Sequence, residues 1–168
     1  FFSYSRKKCE QYADMIGSDI FVTHEESSKI SFVIDKYLKG MFKNYDRLVQ
    51  TQHLIKLLVK GIGFHHSGLV HPLKEIQEIL FSRGLIKILF AAETFAVGVN
   101  MPTKTVVFTE LSKYDGNIKG FRNLTTAEYL QMAGRAGRRG KDSEGISVYL
   151  PLKDPPTCNE LKRIFTGN

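Results

Sequence analysis

Three arginines, Arg135, Arg138 and Arg139, lie close together in the segment QMAGRAGRRG, which runs from Gln131 to Gly140. Small residues between the first two let the backbone approach a ligand while the guanidinium groups point outward together. A guanidinium group is a planar fork of donors, and it matches the oxygens of a phosphoryl group better than the point charge of a lysine does. The segment therefore indicates stabilisation of the negative charge that spreads over a phosphoryl group during its transfer.

This segment has two other interpretations, an RNA-binding Arg-Gly patch and a solvated loop. A free-standing Arg-Gly patch predicts disorder around positions 134–140. The sequence around these positions instead alternates strand-like and helix-like patterns, which argues for a folded setting.

The elements that must position the arginines have recognisable signals. A helix is predicted just before them, because Thr125 and Glu128 form a capping box and the helical spacing continues to Gly134. Mostly apolar runs at Ile86–Phe90 and Thr105–Phe108 suit strands that are covered on both faces of a largely parallel sheet. Further strands are predicted at Phe1–Tyr4, Ile62–His65 and Gly145–Leu150, and further helices begin after Ser5 and at Pro72.

Two more helical stretches lie near residues 24–60, and we expect them to form an insertion on the common scaffold. The whole pattern predicts a doubly wound α/β domain over residues 1–154, with residues 155–168 starting a following helical segment. The chain begins within a strand-like run and stops just after a short amphipathic stretch. We therefore expect it to be part of a longer protein.

The composition points to an anionic partner and an intracellular setting. The net charge of +7 and the pI of about 9.4 favour a partner such as nucleic acid. Cys9 and Cys158 are too few for a disulfide framework, and no signal peptide or long apolar run is present in the sequence. These features predict a reducing compartment and no contact with a membrane.

Four ordered segments carry a resemblance to a known family. The segment Q-x-x-G-R-x-G-R, from Gln131 to Arg138, is similar to motif VI of superfamily 2 helicases. Phe2–Arg6 resembles motif IV, Gly63–Leu69 resembles the RNA-facing motif that follows it, and Ala92–Pro102 resembles motif V. The residues within these motifs resemble those of the DExH branch that contains the superkiller helicase and its nuclear exosome-cofactor relative. The segment Arg122–Thr125 is more similar to the superkiller member.

This resemblance implies the second RecA-like domain of an ATP-dependent RNA helicase. It implies that Arg135 and Arg138 are arginine fingers for the γ-phosphate of ATP, and that Gln131, Gly98 and Asn100 lie at the nucleotide. The sequence contains neither G-x-x-x-x-G-K-[ST] nor D-E-x-H. ATP and Mg²⁺ would therefore be held mainly by a first RecA-like domain, and this chain by itself should be inactive.

The resemblance also implies a set of RNA contacts. His65 and His66 are adjacent on a predicted strand, and no partner has ligand spacing, so no metal site is predicted. We expect one histidine to pack inward while His66 faces the sugar-phosphate backbone. The residues assigned to RNA are Ser5, Arg6, His66, Ser67, Gly68 and Thr94.

A hairpin is predicted between Phe108 and Thr125, where Lys113, Tyr114, Asp115 and Gly116 include an Asp-Gly pair typical of tight turns. In related helicases a hairpin at this place separates duplex strands. The alternative is an ordinary surface hairpin. Tyr114 or Phe121 could stack on a base at a duplex junction.

At the level of the whole protein, the resemblance implies delivery of RNA, 3′ end first, to the exosome. The expected partners are RNA, a first RecA-like domain, superkiller-complex subunits and the RNA exosome. The cytoplasm is the favoured location and the nucleus the alternative. Two other functions stay open: the same domain of a DNA or spliceosomal helicase, and a degenerate motor that acts as an RNA- or protein-binding scaffold.

Overall fold

A computed structural model describes residues 1–41, 48–92, 103–152 and 154–168. The chain divides into two compact units. The central unit comprises Ser5–Ala92, and the terminal unit comprises Phe1–Tyr4 together with Glu93–Asn168. The proposed domain boundary at residue 154 stays a prediction.

The central unit contains four helices and two strands among its described residues. Their order is α1 (Arg6–Met15), α2 (His24–Met41), α3 (Val49–Leu58), β1 (Ile62–His65), α4 (His71–Ser82) and β2 (Ile88–Ala91). β1 and β2 pair in parallel, with Ile62 opposite Ile88 and His65 opposite Ala91. Every residue of β1 is buried, as a strand covered on both faces requires.

Three helices of this unit have start signals in the sequence. Ser5 accepts a hydrogen bond from Lys8 N–H and so caps α1. Before α2, Thr23 and Glu26 exchange side-chain to backbone hydrogen bonds of 2.9 and 3.1 Å. Pro72 lies in the first turn of α4. The two helical stretches expected near residues 24–60 are thus confirmed as α2 and α3.

The terminal unit contains β3 (Thr105–Phe108), β4 (Ser112–Asp115), β5 (Gly120–Asn123), α5 (Thr126–Ala133), β6 (Ile146–Tyr149) and α6 (Cys158–Thr166). β3 and β6 pair in parallel, from Thr105 opposite Ile146 to Phe108 opposite Tyr149. β4 and β5 form an antiparallel hairpin. Both parallel pairings confirm the predicted α/β class with a mainly parallel sheet.

Two predicted strand boundaries need correction. Phe1–Tyr4 forms only a single bridge, in which Phe2 N–H donates to Val107 O and Phe2 O accepts from Thr109 N–H. The strand predicted at Ile86–Phe90 starts at Ile88 instead, because the N–H groups of Lys87 and Ile88 both donate to Gly61 O. That shared acceptor ends the turn before the parallel ladder begins.

The last helix packs on the terminal unit. Thr157 and Glu160 form its capping box, and Ile164 is buried with 2% of its surface exposed. Thr126 Oγ1 donates to Arg163 O at 2.7 Å, and Tyr129 lies 4.8 Å from Phe165 between ring centroids. α6 is therefore bound to α5 through both polar and apolar contacts. No helix within the described ranges is long and apolar enough to cross a membrane.

Candidate functional site

α5 carries Gln131, one of the predicted nucleotide contacts. Thr125 Oγ1 accepts from Glu128 N–H at 3.2 Å, and Glu128 Oε2 accepts from Thr125 N–H at 2.8 Å, which confirms the capping box. Met132 is buried and accepts from the Tyr4 hydroxyl at 3.3 Å. Gln131, next to it in sequence, is exposed. The anchored Met132 thus leaves Gln131 on the open side of the helix.

The turn after α5 is held by backbone contacts. Thr103 N–H donates to Arg135 O at 2.9 Å, and Gly137 N–H donates back to Thr103 O at 2.7 Å. Gly137 has a φ of +89°, a conformation that L side chains rarely adopt, and a Cβ at Gly137 would lie 3.2 Å from the Cα of Gly145. These contacts fix the backbone between Arg135 and Gly137, which lies between the two predicted arginine fingers.

Arg138 forms a bidentate pair with Asp142. The guanidinium Nε and Nη2 donate to Oδ2 and Oδ1, both at 2.8 Å, and the backbone N–H of Arg138 donates to Oδ2 at 3.0 Å. Asp142 N–H in turn donates to Arg138 O. The hydrogen bonds from Arg138 lower the pKa of Asp142 to about 2. The arginine side chain is 45% exposed, whereas that of Asp142 is only 8% exposed.

This arrangement orients the guanidinium of Arg138 while 45% of the arginine side chain stays exposed. Asp142 was not predicted from the sequence, although a carboxylate four residues after an arginine across a glycine turn is a usable signal. Arg139 is exposed next to it.

The predicted RNA contacts of the central unit lie around the turn at Ser67 and Gly68. Both of these residues are exposed, as is Arg6. A Cβ at Gly68 would lie 3.3 Å from Cδ of Arg6. The structure therefore brings the exposed turn and the first residue of α1 together.

His66 has a different environment from the one expected. It is 2% exposed, and His65 is 5% exposed, so both histidines pack inward. His65 is buried because every residue of β1 is covered on both faces. His66 follows directly after β1 and is enclosed by Glu10 and the turn at Gly68, to which its ring is hydrogen-bonded. His66 Nδ1 accepts from Gly68 N–H at 3.1 Å, so its Nε2 carries the proton and donates to Glu10 Oε1 at 2.8 Å. Its assignment to RNA stays a prediction.

Gln50 is a second supporting residue that was not predicted from the sequence. Its Nε2 donates to Gly68 O, and its Oε1 accepts from Val70 N–H, both at 3.2 Å. One side chain of α3 thus holds the two ends of the segment that follows His66. An amide that is 18 positions from its partner in the sequence carries no local sequence signal.

The predicted hairpin is confirmed as β4 and β5, with Tyr114 opposite Phe121. Its turn is longer than the Asp-Gly pair indicates. Residues 116–119 form a four-residue turn in which Lys119, rather than Gly116, has a positive φ, of 49°. Asp115 belongs to the strand, and its Oδ1 accepts from Asn117 N–H at 2.9 Å.

The exposed side of the hairpin is aromatic. Tyr114 is 58% exposed and Phe121 is 75% exposed, and their rings meet edge to face with centroids 5.8 Å apart. Large exposed aromatic rings on a hairpin provide a surface on which a base can stack.

Thr94, Gly98 and Asn100, the predicted contacts from motif V, lie outside the described residues. Within the parts of the chain that the structure describes, no group of three or more His, Cys, Asp or Glu side chains could hold a metal ion.

Comparison with known proteins identifies the family. Residues 10–140 match the family described as helicase conserved C-terminal domain. Over 166 residues the chain is 45% identical to the antiviral helicase SKI2 of Saccharomyces cerevisiae, covering 99% of the chain and 13% of that protein. It is 49% identical over 168 residues to the exosome RNA helicase MTR4 of Mus musculus, covering 99% of the chain and 16% of that protein. The human superkiller complex protein 2 is 45% identical to the chain over 166 residues, covering 99% of the chain and 13% of that protein.

The chain thus spans less than a fifth of the length of each of these relatives. The similar identities leave the closer resemblance to the superkiller member as a prediction. The match over most of the chain, together with the parallel strands and flanking helices, confirms the RecA-like α/β class. The chain belongs to the helicase conserved C-terminal domain family, in the superkiller and exosome-cofactor branch of the DExH RNA helicases.

Proposed function

We propose that this domain supplies arginine fingers to ATP and part of the RNA track of an ATP-dependent RNA helicase. The observation that carries the proposal is the Arg138–Asp142 pair, which orients a guanidinium while leaving 45% of its side chain exposed. An oriented, partly open guanidinium can bind the oxygens of a phosphoryl group without first having to be ordered. Arg135 lies in the same backbone-anchored turn and would be the second finger.

These residues fit a nucleotide's γ-phosphate. Exposed Gln131, three residues before Gly134, would contact the nucleotide or the water that attacks it. ATP supplies the phosphoryl group, and Mg²⁺ neutralises part of its charge. This chain contains no P-loop lysine and no D-E-x-H carboxylate. A first RecA-like domain would therefore hold both ATP and Mg²⁺, and this chain alone would not hydrolyse ATP.

The RNA track would run over the exposed turn of the central unit. Ser67 and Gly68 would offer backbone and hydroxyl donors to phosphates, with Ser5 and Arg6 beside them. Because His66 is buried and bonded to Gly68 N–H, we assign it the role of shaping this turn. The hairpin would separate duplex strands by presenting Tyr114 and Phe121 to the terminal base pair.

The names of the relatives support a role in RNA decay. One relative is an exosome RNA helicase and another is superkiller complex protein 2. We propose that the whole protein feeds RNA, 3′ end first, to the exosome, with superkiller-complex subunits as partners and the cytoplasm as its location. Localisation of a fluorescently tagged full-length protein would test the last point, since nuclear enrichment would favour the exosome-cofactor role.

The test is RNA-stimulated ATP hydrolysis and duplex unwinding by a protein that joins this chain to its first RecA-like domain. We expect turnover to rise with RNA and unwinding to require a 3′ overhang. Equal stimulation by DNA would favour the DNA-helicase alternative, because the 2′-hydroxyl is the backbone group by which a protein tells RNA from DNA. RNA binding without any ATP hydrolysis would contradict the proposal and support the scaffold alternative.

A further inference from the structure

The carboxylate of Glu128 joins three segments of the terminal unit. Its Oε2 accepts from Thr125 N–H at the start of α5 and from Nη1 of Arg122, both at 2.8 Å. Its Oε1 accepts from Nη2 of Arg122 at 2.9 Å and lies 2.7 Å from Nζ of Lys113. Four donors therefore converge on one side chain, and these hydrogen bonds lower the pKa of Glu128.

The two cations on Glu128 come from opposite strands of the hairpin. Lys113 in β4 is directly opposite Arg122 in β5. Arg122 Nε also donates to Asp115 Oδ2 at 2.7 Å, so this arginine links both strands to the helix. The side chains of Lys113, Glu128 and Arg122 are 18%, 19% and 30% exposed. This partial burial favours a persistent network over an isolated surface ion pair.

The next cross-strand pair has the opposite orientation. Tyr114 follows Lys113 in β4, and Phe121 precedes Arg122 in β5. The side chains of this second pair are largely exposed. Successive residues of a strand point to opposite faces, so one face of the hairpin binds α5 while the other presents the aromatic rings. A movement of α5 would therefore carry these rings with it.

α5 connects this network to the arginine turn. The helix has eight residues, with Glu128 in its first turn and Ala133 at its end, directly before Gly134 and Arg135. At a rise of about 1.5 Å per residue, the network lies roughly 10 Å along the helix axis from Arg135. A short helix that is capped at one end and backbone-anchored at the other behaves as a rigid connector over this distance.

We propose that Glu128 is a positioning residue that makes the hairpin move with the motif VI helix, so that nucleotide turnover is coupled to strand separation. The proposal rests on the proposed function. It differs from a purely stabilising role because it predicts loss of unwinding per ATP hydrolysed, rather than loss of ATP hydrolysis itself.

The experiment uses the protein that joins this chain to its first RecA-like domain. Glu128→Gln keeps an oxygen that can accept from Thr125 N–H but removes the charge that binds Arg122 and Lys113. Glu26→Gln is the matched control, because Glu26 also caps a helix, accepting from Thr23 N–H at 2.9 Å, and binds a lysine, Lys87, at 2.8 Å. Unlike Glu128, Glu26 binds a lysine that lies outside the hairpin.

We measure RNA-stimulated ATP turnover and base pairs unwound per ATP for each variant. For Glu128→Gln we expect turnover within about twofold of wild type and unwinding per ATP lowered about fivefold or more, the lower end of typical coupling between sites. Lys113→Met should act in the same direction and remains informative if Glu128→Gln folds poorly. The double variant Arg122→Gln/Glu128→Gln should be no worse than the more affected single variant.

Two results would overturn the proposal. One is a parallel fall in ATP turnover and unwinding, which would mean that Glu128 merely supports the arginine turn. The other is unchanged unwinding per ATP in both Glu128→Gln and Lys113→Met. If the wild-type protein neither hydrolyses ATP nor unwinds RNA, the proposed function itself fails and this coupling fails with it.

Discussion

The carboxylate of Asp142 accepts two parallel hydrogen bonds from the guanidinium of Arg138, each 2.8 Å long. The carboxylate side chain is almost buried and the arginine half-exposed, so the pair fixes the orientation of a cation that faces outward. Fork-to-fork pairing of this kind adds geometric specificity as well as attraction.

Asp142→Asn should therefore impair catalysis without removing the arginine. An amide can accept with only one oxygen, so the guanidinium would lose its fixed orientation. We expect RNA-stimulated ATP turnover of the two-domain protein to fall by about 10-fold to 100-fold, as small misplacements of catalytic groups do. Asp35→Asn is the control, because Asp35 forms an exposed i,i+4 pair with Lys39 far from the turn in sequence. Full turnover in Asp142→Asn would contradict the positioning role.

The same pair predicts a pH dependence of stability. Its carboxyl has a lowered pKa of about 2 in the folded chain, against an ordinary value of 3.8. A lowered acid pKa stabilises the folded state above the unfolded value, and the contribution disappears as pH falls through the folded value. The difference in free energy of unfolding between wild type and Asp142→Asn should be constant above about pH 5 and shrink between pH 4 and 2. Urea unfolding across this range would show a constant difference if the pair were absent.

Gly145 allows the chain before β6 to pass close to the arginine turn. A Cβ there would clash with backbone atoms of Ala136 and lie 2.8 Å from Gly137 N. Gly145→Ala must push these backbones apart, and we expect a cost of about 1–3 kcal/mol in the free energy of unfolding. We also expect reduced ATP turnover in the two-domain protein. Gly40→Ala is the control, because a Cβ at Gly40 meets nothing within 4 Å in α2. It should be neutral or stabilising.

Ile164 tests whether α6 is part of the folded unit. Its side chain is 2% exposed. Ile164→Ala should lower the free energy of unfolding by about 2–4 kcal/mol, as buried truncations do. Lys162→Ala, on the same helix, should change it by less than about 0.5 kcal/mol. Equal small effects would support the predicted boundary at residue 154.

Local signals predicted most of the fold. β1 and β3 occupy the ranges predicted for them, Ile62–His65 and Thr105–Phe108. The capping box at Thr125 and the cap at Ser5 also form as expected, because these patterns depend on neighbouring residues alone. The strand at Phe1–Tyr4 shrinks to one bridge because only Phe2 meets β3, and pairing between distant segments is not encoded locally.

The sequence located the exposed arginine turn, whereas the side chains that support the candidate site were not identified from it. The arginine turn was found from sequence, but Gln50, Glu10 and Asp142 were not. Glu10 is 56 residues from His66, and its role follows only from the folded structure. Glu128 was expected as a helix cap. Its bonds to Arg122 and Lys113 depend on the hairpin folding back onto α5.

The most direct test is the RNA-stimulated ATP turnover of the two-domain protein carrying Arg138→Ala, at saturating ATP and RNA, with ATP binding measured separately. Arg139→Ala, the exposed neighbour, is the matched control. Our account predicts that Arg138→Ala lowers turnover by about 10³-fold while ATP still binds, because an arginine finger acts mainly on the transition state. Turnover equal to that of Arg139→Ala and wild type would contradict the arginine-finger role.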